Sequence, residues 1–146
     1  MPWLGTITLV GVIVLAALVV LFVKTRSKDL LEELMNKRRG SSTLVSRAEY
    51  IEGMERIPVA LALTPDTFYY ENSDLEARFE LDRIDEIEYD DELSTGRPIS
   101  NGCRVLRLRS HGATFDFVLG SDDCRKWMAA LPPRRVNEPH SIRAAG

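Results

Sequence analysis

Apolar side chains run unbroken from Leu4 to Val23, a 20-residue stretch whose only polar groups are Thr6 and Thr8. As a helix rising about 1.5 Å per residue, this stretch covers the ~30 Å hydrocarbon core of a bilayer. Residues 1–23 are therefore expected to form one transmembrane helix. A cleaved signal peptide calls for a basic leading region, a shorter apolar core and a small-residue cleavage site. Here Met1-Pro2-Trp3 carries no side-chain charge, and Val23 runs directly into Lys24-Thr25-Arg26-Ser27-Lys28, so an uncleaved anchor is expected. No second run approaches the ~18 apolar residues of another span, which argues against a polytopic channel or transporter made from this chain alone.

From Ser27 to Gly40 the pattern turns amphipathic and helical. Ser27 is the expected N-cap, Asp29 lies in the first turn, Lys37, Arg38 and Arg39 lie in the last, and Gly40 follows. Leu30, Leu31, Leu34 and Met35 form a stripe of two turns, too short for a coiled coil. Residues 24–42 thus read as a juxtamembrane helical stalk and linker. Two versions stand open: an interfacial helix whose bases touch headgroups, or a helix that simply continues the span.

Beyond Gly40-Ser41-Ser42 the period changes to two, the signature of strands. Leu44–Ile51 and Pro58–Leu63 are the first two expected strands, and Thr64-Pro65-Asp66-Thr67 has the composition of a type I turn. Phe68–Tyr70 gives a short third. Leu75, Ala77, Phe79 and Leu81 then alternate with Glu76, Arg78, Glu80 and Asp82 in a fourth, and Glu86–Asp90 is a fifth. Placing His111-Gly112 in a two-residue hairpin loop sets Leu108 opposite Phe115, Leu106 opposite Phe117, Arg107 opposite Asp116 and Arg109 opposite Thr114. One face is then wholly apolar, and the other carries an opposite-charge pair. Ser121 is the expected cap of a last helix, with Cys124, Trp127, Met128 and Leu131 on one face. Pro132-Pro133 ends it, and residues 132–146 are expected to be a disordered tail.

Seven short strands in meander order, followed by one helix with a central Trp, resemble the pleckstrin-homology-like superfold. The likeness is closest to its GRAM-type and bacterial versions, and it covers residues 43–131. It is carried by Leu61-Ala62-Leu63-Thr64-Pro65-Asp66 leading to Phe68-Tyr69-Tyr70, by Phe79-Glu80-Leu81 with Ile84 and Ile87, and by the final hairpin with its Trp127 helix. The resemblance implies a small α+β, mainly β, domain: a seven-stranded bent antiparallel sheet or barrel capped by the C-terminal helix. It also implies loops that bind phosphoinositides, peptides or proteins. Phosphoinositide-binding relatives gather bases on the first two strands and the loop between them. Glu52-Gly53-Met54-Glu55-Arg56 is a poor phosphate cradle by comparison, so weak or no phosphoinositide binding is expected.

Charge changes the picture by its placement. None of the 19 basic and 22 acidic side chains precedes Lys24. Residues 24–47 hold seven bases and three acids, residues 48–93 three bases and fifteen acids, and residues 94–146 nine bases and four acids. Lys24, Arg26 and Lys28 follow the span and none precedes it, so the N-terminus is expected outside and the domain in the cytoplasm, at the cell membrane. Trp3, Lys24, Arg26 and Lys28 are the expected membrane-interface anchors. The acidic segment Asp82–Glu92 lacks the spacing of a calcium loop and reads as a solvated strand face. Arg104, Arg107 and Arg109 are the candidate partner or lipid surface, with ordinary surface ion pairing as the alternative.

His111 sits in a tight turn where positive φ is tolerated, and His140 lies in the tail, so neither builds a metal site or a triad. Cys103 and Cys124 lack Cys-x-x-Cys spacing and read as reduced, buried small residues. With no glycine-rich phosphate loop and no nucleophile elbow, no catalytic residue, metal or cofactor is expected. A net acidic, tethered domain is a poor nucleic-acid binder. The expected function is a single-pass, membrane-anchored, non-enzymatic adaptor or accessory subunit that meets a protein partner, within a larger membrane complex. The alternative is a membrane-proximal sensor of lipid or a small ligand.

Overall fold

A computed structural model describes residues 2–99 and 102–135. The apolar run and the amphipathic segment form one unbroken helix, α1 (Pro2–Arg39), 38 residues long. At about 1.5 Å per residue it extends roughly 57 Å. It is long and apolar enough to cross a membrane, and none of its most apolar window is buried against the rest of the protein. The Thr8 and Thr25 hydroxyls donate to the carbonyls of Gly5 and Leu21, three and four residues back, which keeps them bonded inside an apolar helix. Ser27 is therefore interior to α1 and caps nothing. Of the two versions of the stalk, the continuing helix is the one formed, because no residue between Val23 and Asp29 breaks helical geometry.

Eight antiparallel strands follow: β1 (Leu44–Glu52), β2 (Glu55–Leu63), β3 (Thr67–Glu71), β4 (Glu76–Glu80), β5 (Glu86–Asp90), β6 (Cys103–Ser110), β7 (Ala113–Gly120) and β8 (Arg134–Arg135). Their order in the sheet is β4-β3-β2-β1-β7-β6-β5-β8, a curled half-barrel with α2 (Ser121–Ala130) at one end. Eight strands stand where seven are expected. The extra one, β8, lies in the segment expected to be tail and pairs with β5 through Glu86 and Ile87. Residues 136–146 of that tail, with His140, fall outside the described residues, as does the Cys103 side chain.

The β6–β7 hairpin has the register expected of it, Leu106 opposite Phe117, Arg107 opposite Asp116 and Leu108 opposite Phe115. His111 adopts φ 52° and Gly112 φ 78° in its two-residue loop, as a primed turn requires. The fourth strand is shorter than the alternation indicates, because Leu81–Arg83 close into a 3-10 turn that redirects the chain toward β5. Gly120, not Ser121, is the N-cap of α2, and as a glycine it offers the first amides no side-chain acceptor.

The inner face gathers Val59, Leu61, Phe68, Ile87, Leu106, Leu108 and Phe117 around a fully buried Trp127. The Trp127 indole N–H donates to Ser46 Oγ at 2.7 Å, so the one polar atom of the plug is satisfied. Cys124 lies beside it, and burial raises its thiol pKa. Around Tyr50 the half-barrel holds an aromatic cluster, with Tyr70, Phe79, Phe115 and Phe117 at centroid separations of 4.8–5.9 Å along its chain of contacts. Burial there pushes the Tyr70 hydroxyl up to about 12.

Candidate membrane-proximal groove and the charged strip

The last two and a half turns of α1, from Leu31 to Arg39, lie on the outer face of the sheet. Leu31 and Met35 are buried against Ala60, with Leu34 and Val45 alongside. The two-turn stripe thus has a job that its length allows: it seats the helix on β1 and β2. A second fastening uses Arg38, which the sequence offers only as one base among three. Arg38 Nε and Nη2 donate to Glu71 Oε1 and Oε2 at 2.9 and 3.1 Å, and the guanidinium lies 4.3 Å from the Tyr69 ring centroid. Glu71 is buried, so the pair is a two-pronged clamp between α1 and β3. Arg47 on β1 adds a 2.7 Å bond to Glu32.

Toward the N-terminal side of this seat, α1 and the sheet diverge into an open groove of about 700 Å³. Lys24, Ser27 and Lys28 form its helix wall, and Arg47, Glu49 and Arg56 form the opposite wall on β1 and β2. Leu31, Ala48, Pro58 and Val118 supply an apolar lining, and Gly120 and Asp123 close it at the start of α2. Among the described residues Lys24 and Lys28 have no ion-pair partner, whereas Arg47 and Arg56 are held by Glu32 and Glu49 at 2.7 and 3.2 Å. Arg26, at the same height on α1, does not line the groove. Trp3 lies exposed at the other end of α1.

The expected arginine surface fares differently. The β5–β6 register sets Glu86 opposite Arg109 and Glu88 opposite Arg107, so the acidic and basic stretches of the chain meet side by side. Arg109 bonds Glu86 at 3.2 Å, and Arg104 reaches Asp91 at 3.6 Å. Arg107 is no surface residue: it is 6% exposed, and its Nε donates to Asp116 Oδ1 at 2.9 Å, Nη1 to Asp90 at 3.1 Å and Nη2 to the Glu92 carbonyl at 2.8 Å. Asp116 Oδ2 accepts from the Ser94 amide at 2.7 Å, which ties the loop after β5 to the sheet. The Asp91 amide and then Arg107 hold the Asp90 carboxyl below the usual carboxylate range. The opposed register predicts the Arg107–Asp116 pair, but the depth of its burial comes from the loop that folds over it, where Leu93 packs on Val105 and Val118.

Asp82–Glu92 is accordingly a partner for β6 and β8 more than a solvated face: Glu86 also bonds Arg135. No group of three or more metal-ligating side chains occurs among the described residues. Comparison with known proteins finds no matching protein family, no matching curated protein and no matching solved structure.

Proposed function

We propose that the chain is a single-pass membrane-anchored adaptor or accessory subunit, without chemistry of its own, that displays a pleckstrin-homology-like domain on the cytoplasmic face. The observation that carries this reading is the continuity of α1, which passes from its apolar stretch into a seat on the sheet without a joint. A domain fixed to its anchor in this way meets a membrane partner at one height and one orientation, and at high effective concentration. The curled antiparallel sheet, in which the runs β1–β4 and β5–β7 join through β1 and β7, together with Trp127 in the capping helix supports the resemblance in fold, and the three bases after the span support the cytoplasmic orientation. The strongest charges of the domain are committed to structural pairs, Arg38 with Glu71 and Arg107 with Asp116, which leaves surface shape and edges for recognition.

The test is purification of the full chain from its native membrane in mild detergent, with stoichiometry by mass spectrometry. A Gly-Ser-Gly-Ser insertion after Lys28 keeps anchor and domain but uncouples them. A near-stoichiometric companion that is lost on insertion is the expected result. A chain that purifies alone in both forms overturns the adaptor reading.

A further inference from the structure

We propose that the groove between α1 and the β1–β2 face seats the phosphate of an anionic phospholipid headgroup, drawn from the leaflet out of which α1 emerges. Position is the first argument. Lys24 directly follows the apolar run, and Leu31 at the inner end of the groove lies seven residues on, about 10 Å along the helix. The mouth of the groove therefore opens at headgroup depth, where Lys24 and Lys28 meet a lipid phosphate before the groove narrows toward Leu31.

Charge is the second argument. Four bases, Lys24, Lys28, Arg47 and Arg56, oppose the two acids Glu49 and Asp123 along the walls. Lys24 and Lys28 face the groove without ion-pair partners among the described residues. The Arg47 and Arg56 pairs are half-exposed, a weak kind of contact that is readily exchanged for a doubly hydrogen-bonded phosphate.

A third, separate observation points to the bilayer. Outside α1, Met54 is the one large apolar side chain exposed among the described residues, at 78%. It sits at the tip of the β1–β2 hairpin, two residues from Arg56 of the groove wall. The flanking Glu52 and Glu55 keep that tip at headgroup depth and out of the hydrocarbon.

This inference rests on α1 being the anchor but is independent of which side the domain occupies and of any protein partner. Its internal control is Arg26, which shares the depth of Lys24 and Lys28 but faces away from the groove. The full chain is placed in nanodiscs of equal parts phosphatidylcholine and phosphatidylglycerol, and native mass spectrometry counts the lipid retained on release. Wild type is expected to keep one phosphatidylglycerol. Lys28→Gln, exposed and unpaired and so neutral for folding, lowers retention roughly five-fold, and adding Arg56→Gln lowers it by a similar factor again. Arg26→Gln leaves retention near the wild-type value. Equal losses for Arg26→Gln and Lys28→Gln, or no preference for phosphatidylglycerol, overturn the groove while the anchor stands. A chain that does not enter nanodiscs overturns both.

Discussion

Arg107 shows how one side chain converts a charge pattern into an architectural joint. Its guanidinium gathers Asp116, Asp90 and the Glu92 carbonyl, and Asp116 in turn holds Ser94. Removing Asp116, itself 3% exposed, takes from the buried Arg107 its most deeply buried carboxylate, leaves it Asp90 and Glu88 as the remaining acids, and frees a loop amide. Asp116→Ala is expected to cost about 2–3 kcal/mol, while Arg104→Ala, at a 3.6 Å surface pair, changes stability by less than about 0.5 kcal/mol. Urea unfolding followed by Trp127 fluorescence in a Trp3→Phe background separates the two. The depressed Asp90 carboxyl gives a sign for pH. Its proton binds more tightly in the unfolded chain, so its contribution is complete above the ordinary carboxylate pKa and drains away as pH falls through the lower folded value. The urea midpoint is thus expected to fall below about pH 4, and Asp90→Asn to flatten that part of the profile. Alternation and turn chemistry make the Arg107–Asp116 pairing legible from residues alone. What they leave unseen is that the arginine is covered, because the cover comes from Leu93 and Ser94 in a loop without periodicity.

At the scale of elements, hairpins are legible where helices are only half so. Strict two-residue alternation admits one register for β6 and β7, since a slip by one residue turns Leu106 and Leu108 outward. The stripe Leu31, Leu34 and Met35 identifies a buried helix face but not its target, because Ala60 and Val45, on the outer faces of β2 and β1, carry no signal of being covered. The same holds for Arg38, whose partner Glu71 lies 33 residues on. Strand β8, only two residues long, is too short for any pattern and is called into being by the open flank of β5. The clamp is testable as an element: Arg38→Ala strands the buried Glu71 carboxylate and frees the last turns of α1. Hydrogen exchange across Leu30–Gly40 is expected to speed up several-fold while β6 and β7 keep their protection. Unchanged exchange in α1 shows that the apolar seat suffices without the clamp.

For the whole molecule the governing relation is between a long rod and the half-barrel fastened to its end. Apolar contact through Leu31 and Met35, the Arg38 fork on Glu71 and the Arg47 bond to Glu32 hold three separate strands, β1, β2 and β3, to one helix. The mouth of the groove and the end of the apolar run consequently share one level, because Lys24 belongs to the first and directly follows the second. None of this is written in any one segment. It arises when a span, a stripe and two strands are superposed.

An unbroken α1 also behaves as a cam shaft. Each residue between Val23 and Leu31 turns whatever lies beyond it by about 100° around the helix axis and lifts it about 1.5 Å. The side of the apolar stretch that faces a neighbour in the bilayer is thereby indexed to the side of the domain that faces the same neighbour. One alanine added after Thr25 swings the half-barrel by more than a quarter turn, whereas seven alanines bring it back to within about 20° at a height ~10 Å greater. Recovery of a membrane companion should collapse with the single insertion and return in part with the seven, an angular periodicity that a slack tether of equal length does not produce.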